Sequence, residues 1–219
     1  MQPRDMPATY GLLALLAVIF LAEGGLAGQP STFRLVQMGG QVNGYILLGG
    51  QWWRLLTAMF LHFNWLHILL NGWSLYVMGQ IVEPVLGTRK FLFVYLVGGL
   101  FGGLVSLAFY PLNVLMVGAS GAIFGLLGAT AVIALHAAGP SRGYLLRWLL
   151  SILVLNLGFD FTMPGIGVWD HVGGLIGGFL ATYVVYASTR GRTAVAYSAG
   201  GAYVVLAAFL IAYAQRLAG

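Results

Sequence analysis

The run Val117-Gly118-Ala119-Ser120-Gly121-Ala122-Ile123-Phe124-Gly125 opens an apolar stretch that continues to Ala138, long enough to cross a bilayer. It sets a hydroxyl at the head of a membrane helix with glycine on both sides. Serine in such a helix commonly bonds its own backbone or lets a neighbouring helix pack closely, and small-residue spacings are frequent there. Taken alone, Gly-x-Ser-Gly does not separate that structural role from a nucleophile. The separation comes from polar residues on other apolar runs.

The rest of the 219-residue chain shares this texture: 60% of it is hydrophobic and 7% charged, with a mean hydropathy of +0.91. Such values exclude an ordinary soluble domain and point to a polytopic membrane protein. The absence of cysteine excludes disulfides, a thiol nucleophile and a thiolate metal site. The net charge of +5 comes from short basic clusters between apolar runs, a topology signal rather than a nucleic-acid-binding face.

Seven runs read as spanning helices: 8–28 (a retained helix rather than a cleaved signal peptide), 61–83 closed by Pro84, 91–110, 117–138, 145–161, 168–188 and 194–214. Residues 29–61, rich in Gly and Trp, are too polar to span and too aromatic to be fully solvated, so they form an interfacial loop. A second loop, 158–168 with Phe159, Phe161 and Met163, is a candidate lid. The expected fold is all-α: a membrane bundle of six helices within residues 1–188, then a linker and a seventh C-terminal helix within 189–219.

Orientation follows from the basic residues. With the N-terminus in the cytoplasm, Arg4, Arg89, Lys90, Arg142, Arg147, Arg190 and Arg192 lie inside, and only Arg34, Arg54 and Arg216 outside. The C-terminus is then expected outside. The second, fourth and sixth helices run in the same direction, so depths along them can be compared. His67 lies 16 residues before Glu83, Ser120 lies 16 before His136, and His171 lies 17 before Ser188. At 1.5 Å per residue all three sit about 24–26 Å above the inner face. Asn71 follows one turn below His67. Polar groups at membrane depth are costly and mark functional sites.

Such a layer suits nucleophilic acyl transfer. Ser120 needs a base to take its proton, and His171 is the candidate, since imidazole titrates near neutrality. His67 and Asn71, at i and i+4, present N–H donors from one helical face. With the Ser120 backbone N–H they could form an oxyanion hole. Gly174 and Gly178 bare the face beneath His171, while Gly121 and Gly125 thin the helix beside Ser120. Close approach of those two faces would permit a serine–histidine hydrogen bond.

These residues resemble the rhomboid intramembrane serine proteases. Three motifs carry the likeness: His62-x4-His67-x3-Asn71, Gly118-Ala119-Ser120-Gly121 and His171-x2-Gly174-x3-Gly178, in that order, together with Trp53-Arg54 in the long loop. The resemblance covers roughly residues 8–188 and implies a Ser120–His171 catalytic dyad, with His67, Asn71 and the Ser120 amide binding the oxyanion. It gives Gly118, Phe124, Gly121, Gly174, Gly178, His62, Trp53 and Arg54 supporting places. It implies no cofactor and, as partners, the lipid bilayer and single-span or polytopic membrane-protein substrates, with small residues favoured at the cleaved position. The six-plus-one helix count fits a prokaryotic cell (inner) membrane.

Two positions depart from the family pattern. Phe124 stands where tyrosine is frequent, which keeps a ring able to stack on His171 but loses a hydroxyl. Asp170 stands where alanine is common. Neighbours on a helix point about 100° apart, so Asp170 is not expected to complete a triad with His171, and near the outer surface it could stay hydrated.

Other polar residues read as structural. His136 caps an inner helix end, Glu83 is an inner-interface residue near Arg89 and Lys90, and Glu23 is snorkelling or hydrogen-bonded. A metal site on His62, His67 and His171 is disfavoured by the five-residue step from His62 to His67 and by the lack of a joining carboxylate. A transporter would show an internal repeat, which is not seen. The remaining alternative is a catalytically silent rhomboid-like protein that binds membrane helices for quality control.

Overall fold

In the computed structural model, which describes residues 6–27, 29–162 and 167–218, every one of the seven apolar runs is helical. They are α1 (Pro7–Ala22), α5 (Trp65–Leu86), α6 (Thr88–Phe109), α7 (Ser120–His136), α8 (Pro140–Thr162), α9 (Val168–Thr189) and α10 (Thr193–Ala218). The interfacial loop folds into α2 (Thr32–Gln37), β1 (Gln41–Val42), α3 (Asn43–Leu47), α4 (Arg54–Thr57) and a 3₁₀ turn at Ala58–Phe60. β1 pairs antiparallel with β2 (Leu115–Met116), Gln41 opposite Met116. The protein is thus an all-α membrane helix bundle with one short ribbon at its rim.

Helices α6, α9 and α10 are each long and apolar enough to cross a membrane. Helices α1 and α7 are apolar but have only 16 and 17 residues, shorter than expected. The shortening has a local cause in each case. At α7 the chain stays non-helical through Gly118, whose φ of +138° favours glycine and whose N–H goes to the Ala58 carbonyl (3.0 Å) instead of into a helix. At α1 the helix stops where Glu23 turns inward and its Oε2 accepts from the His62 backbone N–H (3.2 Å).

Pro84 does not close α5. The helix runs on to Leu86 and ends at Gly87, where φ is +78°. Proline withholds one N–H and in the last turn leaves a single carbonyl unpaired, which the helix tolerates there. Glu83 finds partners other than the neighbouring Arg89 and Lys90. Its carboxylate is buried and accepts from the backbone N–H groups of Ala8 (2.9 Å) and Thr9 (2.8 Å) and from the hydroxyls of Thr9 (2.6 Å) and Thr88 (3.1 Å). It caps the open N-terminus of α1 from the far end of α5, satisfying donors that lipid cannot.

The centre of the bundle is α7, buried at 13 of its 17 positions against α5, α6, α8 and α9. It meets α6 and α9 through glycine. A Cβ placed on Gly98 of α6 would lie 2.9 Å from the Gly125 Cα, and one on Gly174 or Gly178 of α9 would run into the carbonyl of Gly121 or Gly125. No side chain fits between these backbones. The loop at 29–61 is tied to the C-terminal end of α6 by the Asn43 side-chain amide, which donates to the Tyr110 carbonyl at 2.9 Å, and by Gln41, whose side-chain amide donates to the Gly103 carbonyl at 3.1 Å.

Candidate active site

Ser120 is the first residue of α7, half-buried, following the bend at Gly118. His171 lies in the first turn of α9 and is 7% exposed. Its ring lies flat on Phe124, one turn below Ser120, with centroids 4.1 Å apart and planes within 7°. Offset stacking of this kind fixes the plane of an imidazole without using either nitrogen. Ser120, His171, His67, Asn71, Gly118 and Phe124 line one cavity of about 500 Å³.

On the opposite wall Asn64 caps α5 by accepting from the His67 backbone N–H (2.9 Å). The cap sets His67 in the first turn and Asn71 in the second. A Cβ on Gly118 would lie 2.9 Å from His67 Nε2 and Cε1 and 3.6 Å from Asn71 Nδ2, so both side chains point at the backbone just before Ser120. His67 Nδ1 receives the Phe63 N–H at 3.5 Å, a long contact that favours the tautomer with the proton on Nε2, facing Gly118. Asn71 Nδ2 is buried and has no hydrogen-bond acceptor among the described residues. A buried donor left open calls for an explanation.

His62 stands behind this pair. It is fully buried, with its ring edge-on to His67 at 5.0 Å and 66°. It backs His67 through packing. Trp53 and Arg54 lie outside the cavity. Arg54 Nη1 donates to the carbonyls of Val36 and Gly40, both at 2.8 Å, and Nε to Gln51 at 2.6 Å. Its guanidinium sits 4.8 Å from both the Tyr45 and the Trp53 ring centroids. This pair organises the interfacial loop, and through it the 3₁₀ turn whose Ala58 carbonyl anchors Gly118. Among the described residues no three His, Asp or Glu side chains are grouped as a metal site.

Three features were not anticipated from the sequence. Helix α6, given no role, supplies Gly98 and Gly99 against α7 and Gly102 against α9. The signal was present in Gly98-Gly99-x2-Gly102-Gly103, two glycine faces on one helix. The Ala58 carbonyl has no sequence signal at all. Asp170, thought to stay hydrated, is half-buried with its carboxyl group wedged between Gly102 and Gly121. The loop expected at 158–168 is helical as far as Thr162. Met163 and residues 164–166 lie outside the described residues, as do the side chains of Phe159 and Phe161, so the lid reading falls outside them too.

The rhomboid domain family matches residues 49–188. The chain is 38% identical over 177 residues to the rhomboid protease GluP of Bacillus subtilis, covering 79% of this chain and 34% of that protein. It is 34% identical over 186 residues to YdcA of the same organism, covering 83% and 89%. It is 35% identical over 158 residues to RHOMBOID-like protein 7 of Arabidopsis thaliana, covering 71% and 50%. The chain therefore spans about a third of the first relative, most of the second and half of the third. With its glycine-packed α6–α7–α9 centre and its cavity at the head of α7, the chain belongs to the rhomboid family.

Proposed function

We propose that this chain is an intramembrane serine endopeptidase that cleaves transmembrane segments of other membrane proteins with a Ser120–His171 dyad. The observation that carries the reading is the buried, open Asn71 amide beside His67 Nε2, both facing the backbone before Ser120. An oxyanion held there would satisfy the amide, and it would form only as the reaction proceeds.

Ser120 Oγ attacks the carbonyl carbon while His171 takes the hydroxyl proton, giving a tetrahedral oxyanion held by His67, Asn71 and the Ser120 N–H. The intermediate collapses, the C–N bond breaks, and His171 returns the proton to the leaving amine. Water then attacks the ester on Ser120, again losing a proton to His171, and the carboxylic acid departs with the serine regenerated. The stack on Phe124 keeps the ring in plane through both transfers.

A spanning substrate must reach the cavity from the side, since its segment lies in lipid. The wall made by Leu66, Leu70 and Trp73 of α5 and Trp148 and Ile152 of α8 is the route that fits. The segment has to unwind locally, because a helical carbonyl is occupied by its own backbone. The relatives named as rhomboid proteases support the same reading. The deciding experiment reconstitutes the full chain with a labelled single-span protein, against Ser120→Ala. Cleavage by the parent alone supports the proposal; equal cleavage by both, or none by either, defeats it, and binding without cleavage would favour the silent relative.

A further inference from the structure

Asp170 precedes the proposed base and Gly121 follows the proposed nucleophile, and the two touch. The carboxyl group of Asp170 lies directly against the Gly121 backbone at the start of α7. A Cβ built on Gly121 would lie 2.5 Å from both carboxyl oxygens. On the other side, a Cβ built on Gly102 of α6 would lie 2.6 Å from Oδ1 and 2.7 Å from the Asp170 carbonyl oxygen. Three helices thus form a slot whose walls are bare at the two positions where a carboxyl group needs room. The slot opens on the N-terminus of α7, where amides lack helical partners and negative charge is favoured.

We infer that Asp170 is a positioning residue: its carboxyl group fastens the first turn of α7 to the first turn of α9 and so holds Ser120 and His171 in register. The kinetic consequence rests on the protease reading above, whereas the fastening itself does not. The stack of His171 on Phe124 fixes the plane of the ring, and the glycine contacts set how closely α7 and α9 approach, but glycine has no side chain with which to interlock the two first turns. A carboxyl group seated between them and accepting from the Gly121 N–H supplies that interlock. It also occupies the Gly121 N–H, leaving the Ser120 N–H as the donor from this turn that faces the oxyanion. A displacement of about 1 Å between reacting groups can cost roughly a hundredfold in rate. This role differs from that of a triad aspartate, because the carboxyl group is seated against the backbone of α7, with its charge reaching His171 only through space.

The test uses the full chain in detergent micelles with two readouts: turnover of a labelled single-span substrate, and amide hydrogen exchange in the peptide covering residues 117–124. Asp170→Ala is expected to lower kcat roughly ten- to a hundredfold, with KM within about twofold, and to speed exchange in that peptide at least about tenfold. Asp170→Asn keeps an acceptor oxygen in the slot and is expected to recover at least about a third of the parent kcat and to restore slow exchange. Unchanged exchange in folded Asp170→Ala, or an Asn variant as impaired as the Ala variant, overturns the inference. Should Asp170→Ala not fold, Asp170→Glu decides: it keeps the charge but adds a methylene for which the slot has no room. It must lose turnover and speed exchange, and a Glu variant that behaves like the parent overturns the inference. If the parent itself does not cleave, the protease reading fails, and the exchange data still decide whether Asp170 fastens α7.

Discussion

Where glycines bring α7 against α6 and α9, the touching atoms are backbone: Gly98 on Gly125, Gly174 on Gly121, Gly178 on Gly125. On the other side of the cavity, α5 turns Leu66, Leu69, Leu70 and Trp73 outward, each 57–68% exposed, and α8 does the same with Leu150 and Val154, both 62%. The first region has no rotamers to rearrange and no room to give. The second is made of exposed side chains with torsional freedom. The contrast separates two demands. A nucleophile and a base must hold their distance to a fraction of an ångström, whereas a wall that admits a helix must part. Here the proposed nucleophile and base stand on the backbone-packed side, and the proposed passage on the side-chain side.

The largest expected effect tests the packed side directly. Ser120→Ala and His171→Ala should each reduce cleavage to background, and the double variant should be no worse than either, since groups acting as one unit are not additive. Substantial cleavage by either single variant in the reconstituted assay would break the dyad. Asn71 reaches across from the looser side and should cost less. Asn71→Ala is expected to fold and to lose on the order of 10²–10³ in turnover, the usual loss of one oxyanion donor. Parent-like turnover would reduce Asn71 to packing.

Stability should divide the two regions as sharply. Gly178→Ala drives a methyl into the Gly125 carbonyl and should cost about 1–3 kcal/mol or more in unfolding in a mild detergent, the range for overpacking a tight core. Leu69→Ala, on the outward face of α5, should stay within about 0.5 kcal/mol. Equal losses would show that the packed centre is no more constrained than the wall. The smallest effect is expected outside both regions. Helix α10 touches α6 through Phe101–Tyr203 packing and a Tyr203 hydroxyl bond to the Val97 carbonyl (3.1 Å), and it carries no proposed catalytic group. Deleting residues 194–219 should lower turnover only several-fold. Abolition in a folded variant would mean that α10 holds the site together. A reporter placed after Gly219 and another in the Arg142 loop, expected on opposite sides of the membrane, check the proposed orientation.

Much of this was legible in the residues because membrane helices announce themselves by composition. The spacings His67-x3-Asn71 and His171-x2-Gly174-x3-Gly178 translate into faces by simple periodicity, and the structure brings His67, Asn71, Ser120 and His171 to one cavity. Legibility failed where a partner comes from distant chain. Nothing near Glu83 in sequence says that its carboxylate will find Ala8 and Thr9, and its neighbours Arg89 and Lys90 suggested a different partner. Asp170 was placed by its depth, and depth cannot show that Gly102 and Gly121 leave a gap of its size. The end of α5 is not legible at Pro84, where proline looks like a stop, because the positive φ of Gly87 makes the actual stop.

The Glu83 cap carries a consequence for biogenesis. The amides it satisfies open the first long helix, and the carboxylate that satisfies them lies 75 residues later along the chain. A ribosome adding 5–20 residues per second needs about 4–15 s to cover that distance. During this interval α1 must keep its exposed donors at the watery headgroup boundary, or in the care of the insertion machinery, because lipid offers them nothing. The cap on α1 is therefore completed only when α5 has been made and has packed beside it.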